Sequence, residues 1–313
     1  MTDGSQQLNP FRLGVRFAER VWGKADLQPW YSHVGGGPVG EVWLTGEMCV
    51  VEEGPYEGKL LAQLEEEFGP SLLGTHPHFP LLVKILFPQQ KLSVQVHPDD
   101  VQAVTLGGDA RPKTECWYVL EAAPGATISL GLKPGTSQGA VQDALGHPSL
   151  ETLLNEEPVA AGDMIYVEAG TVHAVGAGLV ILEVQQPSDT TFRLYDYGRD
   201  RELHLEEGLQ VIKLETESGK VAQHEGAMCT DLIDVRHFAM SRYTVRGTGA
   251  LALQTSGGPE CIVCLAGFGT LVCDETRIDL RLGHAIAIPA SCRGFSVEGE
   301  CSFVRCRVPE QAA

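Results

Sequence analysis

The 313-residue chain has no apolar stretch approaching the ~18 residues that a membrane-crossing helix needs. Its first twenty residues, MTDGSQQLNPFRLGVRFAER, also lack the apolar centre of a secretion signal. Both absences point to a soluble, cytoplasmic protein with no membrane partner. Positive charge is scarce: 23 Lys and Arg stand against 41 Asp and Glu, a formal net charge of −18. A field of that sign repels nucleic-acid phosphates, so DNA and RNA are not expected as ligands. Any anionic ligand would have to be met by a local basic cluster. The nine cysteines, at 49, 116, 229, 261, 264, 273, 292, 301 and 306, are odd in number and lack paired zinc-ribbon spacing. Most lie in apolar alternating segments, so reduced, buried thiols are expected. The lone Cys261-Ile-Val-Cys264 falls in a strand-like run and reads as core.

What is present is 43% hydrophobic residues, enough for a real core, with 36 Gly and 18 Pro in no regular period. That mixture fits many tight turns between short strands. Residues 1–60 hold short strands around 20–23 and 40–43, separated by a Gly35-Gly-Gly-Pro38 turn. The segment EGKLLAQLEEEF, 57–68, has apolar residues at helical spacing and stops before Gly69-Pro70. From Pro80 to Arg199 the runs LLVKILF, KLSVQVH, ECWYVLEA, ATISLGL, MIYVEAG, LVILEVQQ and TTFRLYDYG read as strands. Between them, 137–155 predicts one or two short helices, and 202–213 predicts another that closes the first β region. Short strands return over 228–308.

The two β regions share a pattern. Gly162-Asp-Met-Ile-Tyr-Val-Glu-Ala-Gly170-Thr-Val-His173 matches Gly283-His-Ala-Ile-Ala-Ile-Pro289-Ala-Ser-Cys-Arg-Gly294: a glycine opens a strand, and a Gly or Pro turn leads into the next. This is the hairpin pattern of cupins. The expected fold is therefore mainly β: two cupin-type, jelly-roll-like β-sandwich barrels with a few short helices. The first, 1–213, would bind metal; the second, 214–313, has Gly294 where the first has His173 and would be metal-free.

Gln95 and His97 lie two apart in Lys91-Leu-Ser-Val-Gln-Val-His97, so a strand points both to one face. Glu115 opens the apolar strand Glu115-Cys-Trp-Tyr-Val-Leu120, where an inward carboxylate is costly unless paired or metal-bound. His173 follows a tight Ala169-Gly170-Thr171 turn. Two imidazoles, a carboxylate and an amide oxygen suit Zn²⁺ or another borderline divalent ion, and the lack of thiolates argues against a closed structural zinc site. With one carboxylate offsetting it, the ion would keep a formal charge of about +1 and remain a Lewis acid. Asp99 and Asp100 read as turn formers, His76 and His78 as surface or packing residues, and Lys91 as a solvated strand end.

In order along the chain, Leu92-Ser-Val-Gln-Val-His-Pro-Asp-Asp100, Lys113-Thr-Glu-Cys-Trp-Tyr118, Gly170-Thr-Val-His-Ala174 and Gln186-Pro-Ser-Asp-Thr-Thr-Phe-Arg193 resemble the successive signatures of type I phosphomannose isomerases. The resemblance is clear from about Arg20 to Arg199 and looser beyond. It implies one zinc ion per chain on Gln95, His97, Glu115 and His173. It also implies interconversion of mannose 6-phosphate and fructose 6-phosphate, an active-site arginine at Arg193, an acidic residue at Glu183 and substrate contact by Lys113. Only residues 116–172 separate Glu115 from His173, which matches the short bacterial form without a large helical domain.

Such an isomerisation moves a proton between C1 and C2 through an enediol-type intermediate, and a metal stabilises the charge that develops on oxygen. Arg193 could grip the phosphate or stabilise the enediolate. Glu183, in the apolar run Leu179-Val-Ile-Leu-Glu-Val, is a candidate general base; Lys113 and a metal-bound water are rivals, and Glu183 could instead orient His173. Competing readings are another metal-dependent cupin acting on a phosphosugar, an iron-dependent cupin oxygenase, and a non-catalytic sugar-binding cupin. The first is favoured less than the isomerase by the four ordered signatures, the second by Lys113 and Arg193, and the third by the complete ligand set. The sequence leaves the oligomeric state open.

Overall fold

The computed structural model describes residues 7–32, 36–247 and 249–309, so Gly35 of the expected turn lies outside them. Three antiparallel sheets dominate, and the longest described helix has eight residues. None of the described helices is long and apolar enough to cross a membrane.

The molecule is a stack of layers. Helices Gln138–Ala144, Ser149–Thr152 and Leu205–Val211 cover one face of a five-stranded sheet. In spatial order its strands are Phe192–Tyr195, Val94–Val96, His173–Val175, Thr127–Leu132 and Leu154–Pro158. The opposite face packs on a seven-stranded sheet, ordered Gly219–Lys220, Met164–Val167, Glu115–Ala122, Leu179–Gln185, Leu82–Leu86, Val39–Trp43 and Arg16–Lys24. A ten-stranded sheet then packs behind the seven-stranded one.

The seven-stranded sheet is buried on both faces, which is why its central strands read as continuous apolar runs. In Leu179–Gln185 every residue is buried. Leu179 and Ile181 face the five-stranded sheet, while Val180, Leu182 and Val184 join Phe11, Cys261, Val263 and Cys306 in the core shared with the third layer. The third layer is built on two 14-residue strands, Glu260–Cys273 and Gly294–Arg307, which pair along almost their whole length. They curl around an apolar interior that includes Ile262, Leu271, Ile278, Val297 and Phe303.

The predicted strands between 80 and 199 are all present. The predicted helices shrink to Leu61–Phe68, the pair Gln138–Ala144 and Ser149–Thr152, and Leu205–Val211. Three features differ from the sequence reading. Residues 154–158 form a strand instead of a helix end, pairing along Thr127–Leu132. Asp99 and Asp100 do not make a simple turn: Asp99 caps a helix, Asp100–Leu106, by accepting from the Val101 and Gln102 amides. Finally, strands are exchanged across 213/214. Phe11–Leu13 pairs with Ala285–Ile288, and Val51–Glu53 follows on its other side, both in the ten-stranded sheet. Gly219–Lys220 pairs back with Met164–Val167 in the seven-stranded one.

All nine cysteines are free, and eight are buried. Cys261 and Cys264 point to opposite sides of their strand, one into the inter-layer core and the other into the barrel interior, so the pair forms no joint site.

Candidate active site

Strand register writes the site as two rows facing each other. Across the five-stranded sheet, Arg193, Gln95 and His173 are direct neighbours on adjacent strands. Across the seven-stranded sheet, Trp43, Lys84, Glu183 and Trp117 form one row. Directly opposite residues on antiparallel strands share a face, so each row projects into the space between the sheets. His97 and Glu115 join from strand ends nearby.

His97, Glu115 and His173 are essentially fully buried, and their ligand atoms lie within 4.8 Å of one another. Each imidazole is oriented by backbone: His97 Nδ1 is 2.8 Å from the Thr190 carbonyl and His173 Nδ1 is 2.9 Å from that of Thr171. A carbonyl only accepts, so each Nδ1 carries the hydrogen and each Nε2 presents a lone pair to the site. Those Nε2 atoms sit 3.6 Å and 3.2 Å from the Glu115 carboxylate. The Gly170 turn fixes the approach. Its φ of +93° suits glycine, a Cβ there would strike Lys213, and its amide donates to the His97 carbonyl.

Both Glu115 oxygens are buried without a hydrogen-bond partner. Lys113 Nζ lies 2.8 Å from Oε2 as an ion pair. A buried carboxylate facing two imidazole Nε2 lone pairs is a donor set that fits a divalent cation. Gln95 adjoins it: the amide nitrogen is 3.3 Å from His173 Nε2, and exchange of the two amide ends would offer the oxygen instead. Burial and the Lys113 charge hold His97 well below the usual imidazole range. Burial brings His173 down to about 4. Both rings are thus neutral, as ligands must be.

Arg193 and Gln95 of one row and Lys84 and Glu183 of the other line a cleft of about 440 Å³ that also takes in Arg20, Glu41, Lys113, Asp189 and Arg201. Glu183 accepts from Trp117 Nε1 at 3.1 Å, and burial raises its pKa against the pull of Lys113. It makes no hydrogen bond to His173, whose Nδ1 is already taken by Thr171, so the alternative of Glu183 as the orienting partner of that ring is not supported. Lys113 Nζ is 3.1 Å from His97 Nε2, and its neighbouring carboxylates push its pKa up despite burial. His78 pairs with Glu65 at the surface and Lys91 with Glu151, away from the ligand set.

Sequence reading missed Lys84. It is 2% exposed, 3.4 Å from Asp189, 3.7 Å from Glu41 and 3.9 Å from Glu183, with its ammonium 4.5 Å from the centre of the Trp43 ring. Its signal was available: one lysine in the middle of the apolar run LLVKILF. Glu41, Asp189 and Arg201 had no comparable signal, because each is brought in by a strand or loop distant in sequence.

Two barrel-like β layers and a buried His–Glu–His set that adjoins a polar cleft through Gln95 and Lys113 define a metal-binding enzyme of the cupin class. Residues 11–119 match the model of the phosphomannose isomerase type I catalytic domain, and residues 228–308 that of the mannose-6-phosphate isomerase cupin domain. The mannose-6-phosphate isomerase ManA of Bacillus subtilis is 34% identical over 306 residues, covering 91% of this chain and 95% of that protein. A mannose-6-phosphate isomerase of Streptococcus mutans is 32% identical over 317 residues, with 94% and 97% covered. The crystal structure of mannose 6-phosphate isomerase from B. subtilis superposes with a TM-score of 0.86 at 27% identity, over 96% of this chain and 100% of that one. The chain belongs to the type I phosphomannose isomerase family.

Proposed function

We propose that this chain interconverts mannose 6-phosphate and fructose 6-phosphate in the cleft between the five- and seven-stranded sheets, with one zinc ion held by Gln95, His97, Glu115 and His173. The observation that carries this reading is the buried cluster of Glu115, His97 and His173, whose ligand atoms lie within 4.8 Å of one another. Nitrogen and oxygen donors without a thiolate suit zinc in a catalytic setting. When bound, the ion supplies Lewis-acid stabilisation of the negative charge that develops on the sugar oxygens.

The chain's own residues do the rest. Glu183 takes the C2 proton of the open-chain aldose and returns it to C1, while the O2 hydroxyl proton passes to O1; its raised pKa brings the carboxylate toward the range a general base needs. Trp117 fixes one of its oxygens, leaving the other toward Lys84. Lys113, cationic and buried at the ligand set, faces the sugar oxygens as a hydrogen-bond donor. Arg193 lies in the row of Gln95 and His173 and contributes a permanent positive charge. An iron-dependent oxygenase would share the His and carboxylate ligands but has no use for this cationic lining.

A coupled assay with mannose 6-phosphate on metal-stripped protein, then on the same protein restored with zinc, tests the reading. Turnover should vanish on stripping and return with about one equivalent of zinc, the number one ligand set can hold. Turnover unaffected by stripping, or absent after restoration, would overturn it.

A further inference from the structure

The two matched hairpins differ in what surrounds their last residue. Beside Gly294, which stands where the first hairpin has His173, the second gathers two sulfurs. Cys273 ends the strand Glu260–Cys273, and Cys292 lies in the turn that leads into Gly294–Arg307. Their Sγ atoms are 3.6 Å apart, and each lies 3.5 Å from the Gly294 carbonyl oxygen. Both side chains pack in the apolar interior of the third layer, at 4% and 1% exposure. Cys261 and Cys306 also stand opposite each other, but in the core between layers and at 0% exposure.

Thiols already in contact reach the ~2.05 Å of a disulfide by small side-chain rotations. Their surroundings give access from the rim. Cys273 adjoins the exposed hairpin turn Asp274-Glu275, where Asp274 has a φ of +50°, and Cys292 adjoins exposed Arg293. Short turns at a rim open locally at far less cost than the interior unfolds. Burial raises the pKa of both thiols, Cys273 to about 12, while a hydrogen bond from Cys273 works against burial at Cys292. Cys292 is therefore the more readily ionised, with Cys273 beside it as the second thiol. The same two segments carry the first half of the chain. Ala290 and Ser291 donate their amides to the Leu72 and Ser71 carbonyls at 3.0 Å, Ser291 Oγ accepts from the Leu8 amide at 3.0 Å, and Asp274 accepts from the Gln7 side chain at 3.2 Å.

We propose that Cys273 and Cys292 are a reversible disulfide site, closed by a peroxide and reopened by small thiols, that staples the rim of the second barrel where the first half of the chain rests on it. The Cys292 thiolate attacks one peroxide oxygen; the O–O bond breaks, a sulfenic acid forms on Cys292, and the other oxygen leaves as water. The Cys273 sulfur then attacks that sulfur, the S–O bond breaks as the S–S bond forms, and the departing hydroxyl takes the Cys273 proton as a second water. Two thiols are oxidised and one peroxide is reduced to two waters. Closing residues 273–292 into a loop restrains the unfolded chain and so stabilises the folded one. In a reducing compartment the bond is transient, which makes it a response to oxidant and not a permanent brace.

The test treats the zinc-loaded full chain with a small excess of hydrogen peroxide, quenches it in acid, alkylates the free thiols in denaturant and maps the peptides by mass. The expected product joins Cys273 to Cys292, two hydrogens lighter than the reduced pair, with Cys261 and Cys306 still alkylated. The melting temperature of the oxidised protein should rise by at least about 3 °C and return on treatment with dithiothreitol. Cys273→Ala should show neither the link nor the rise, and Cys292→Ala serves if that variant does not fold. Cys273 and Cys292 both alkylated after peroxide, or joined to other cysteines instead of to each other, would overturn the site. A Cys273–Cys292 link that leaves the melting temperature unchanged would overturn the staple.

Discussion

The two hairpins that match in sequence, 162–173 and 283–294, lead into interiors of opposite character. In the first, His173 opens its strand facing Glu115, and six polar residues (Lys84, His97, Lys113, Glu115, His173 and Glu183) are buried together. In the second, Gly294 opens the strand, and the interior is closed by Ile262, Leu271, Ile278, Phe295 and Phe303. The glycine has a steric cause: a Cβ at 294 would lie 2.9 Å from the Leu253 carbonyl, because Leu251–Gln254 pairs across it. One backbone pattern thus serves either a site or a core. What decides is whether a backbone carbonyl stands where the Cβ would go, and whether the facing strands supply partners for buried charge.

The strongest way to break that contrast is to empty the first interior. His173→Ala should lower turnover by more than about 10³-fold and lose the ion, because one imidazole is half the nitrogen set. Cooperative unfolding should persist, since the barrel core is apolar. Metal analysis alongside thermal melting decides it, and an unfolded variant would make the site structural. Wild-type protein should carry one tight ion per chain; two equally tight ions would erase the difference between the interiors.

A milder change within the first interior is Arg193→Lys, which keeps the charge and loses the planar fork. We expect kcat/KM to fall by about 10²–10³, or roughly 3–4 kcal/mol of transition-state binding, at wild-type metal occupancy. Near-normal kinetics would remove Arg193 from the site. The converse experiment, Gly294→His, tries to turn the second interior into a copy of the first. Overpacking against the 251–254 strand should cost about 1–3 kcal/mol without a second ion being gained, as read from denaturant titration and metal content.

The smallest effect concerns acid. Burial alone would raise the Glu41 pKa, but Lys84, Arg20 and a hydrogen bond from Trp43 bring it down to about 2 from its ordinary 4.5. The folded carboxyl therefore stays ionised where the unfolded one takes up a proton. Its contribution is complete above pH 4.5 and is lost as the pH falls toward 2, at most about 3 kcal/mol. Urea unfolding at pH 6 and pH 3 should show a smaller loss of stability in Glu41→Gln than in wild type. Equal losses would mean that the Lys84 row does not hold this side of the first interior.

The sequence made the ligand set legible because two-residue spacing puts Gln95 and His97 on one face, and because Glu115 stands out at the head of an apolar strand. It named Glu183 of the wall opposite but not the row that Glu183 belongs to. Lys84, Glu183 and Trp43 form a row only through pairing of three strands far apart in the chain, and nothing local announces that register. Asp99-Asp100 read as a turn because the same side-chain oxygen that closes a turn also caps a helix, and only the following Val-Gln-Ala-Val spacing separates the two. The 213/214 division reads as a domain boundary after a helix, yet Phe11–Leu13 pairs with Ala285–Ile288 in the last part of the chain, beyond the reach of any window of periodicity.

That exchange of strands has a consequence for modularity. Phe11–Leu13 lies between Ala285–Ile288 and Val51–Glu53, so the chain's opening strand is bonded to its last quarter while the strands between build the catalytic cleft. The backbone that presents Glu183 to the cleft turns Leu182 and Val184 toward Cys261 and Cys306 on its reverse side. The C-terminal region is therefore not a detachable accessory. It is the outer half of a wall, and a chain shortened at residue 213 should lose the partner of Phe11–Leu13 and the cover over Leu182 and Val184.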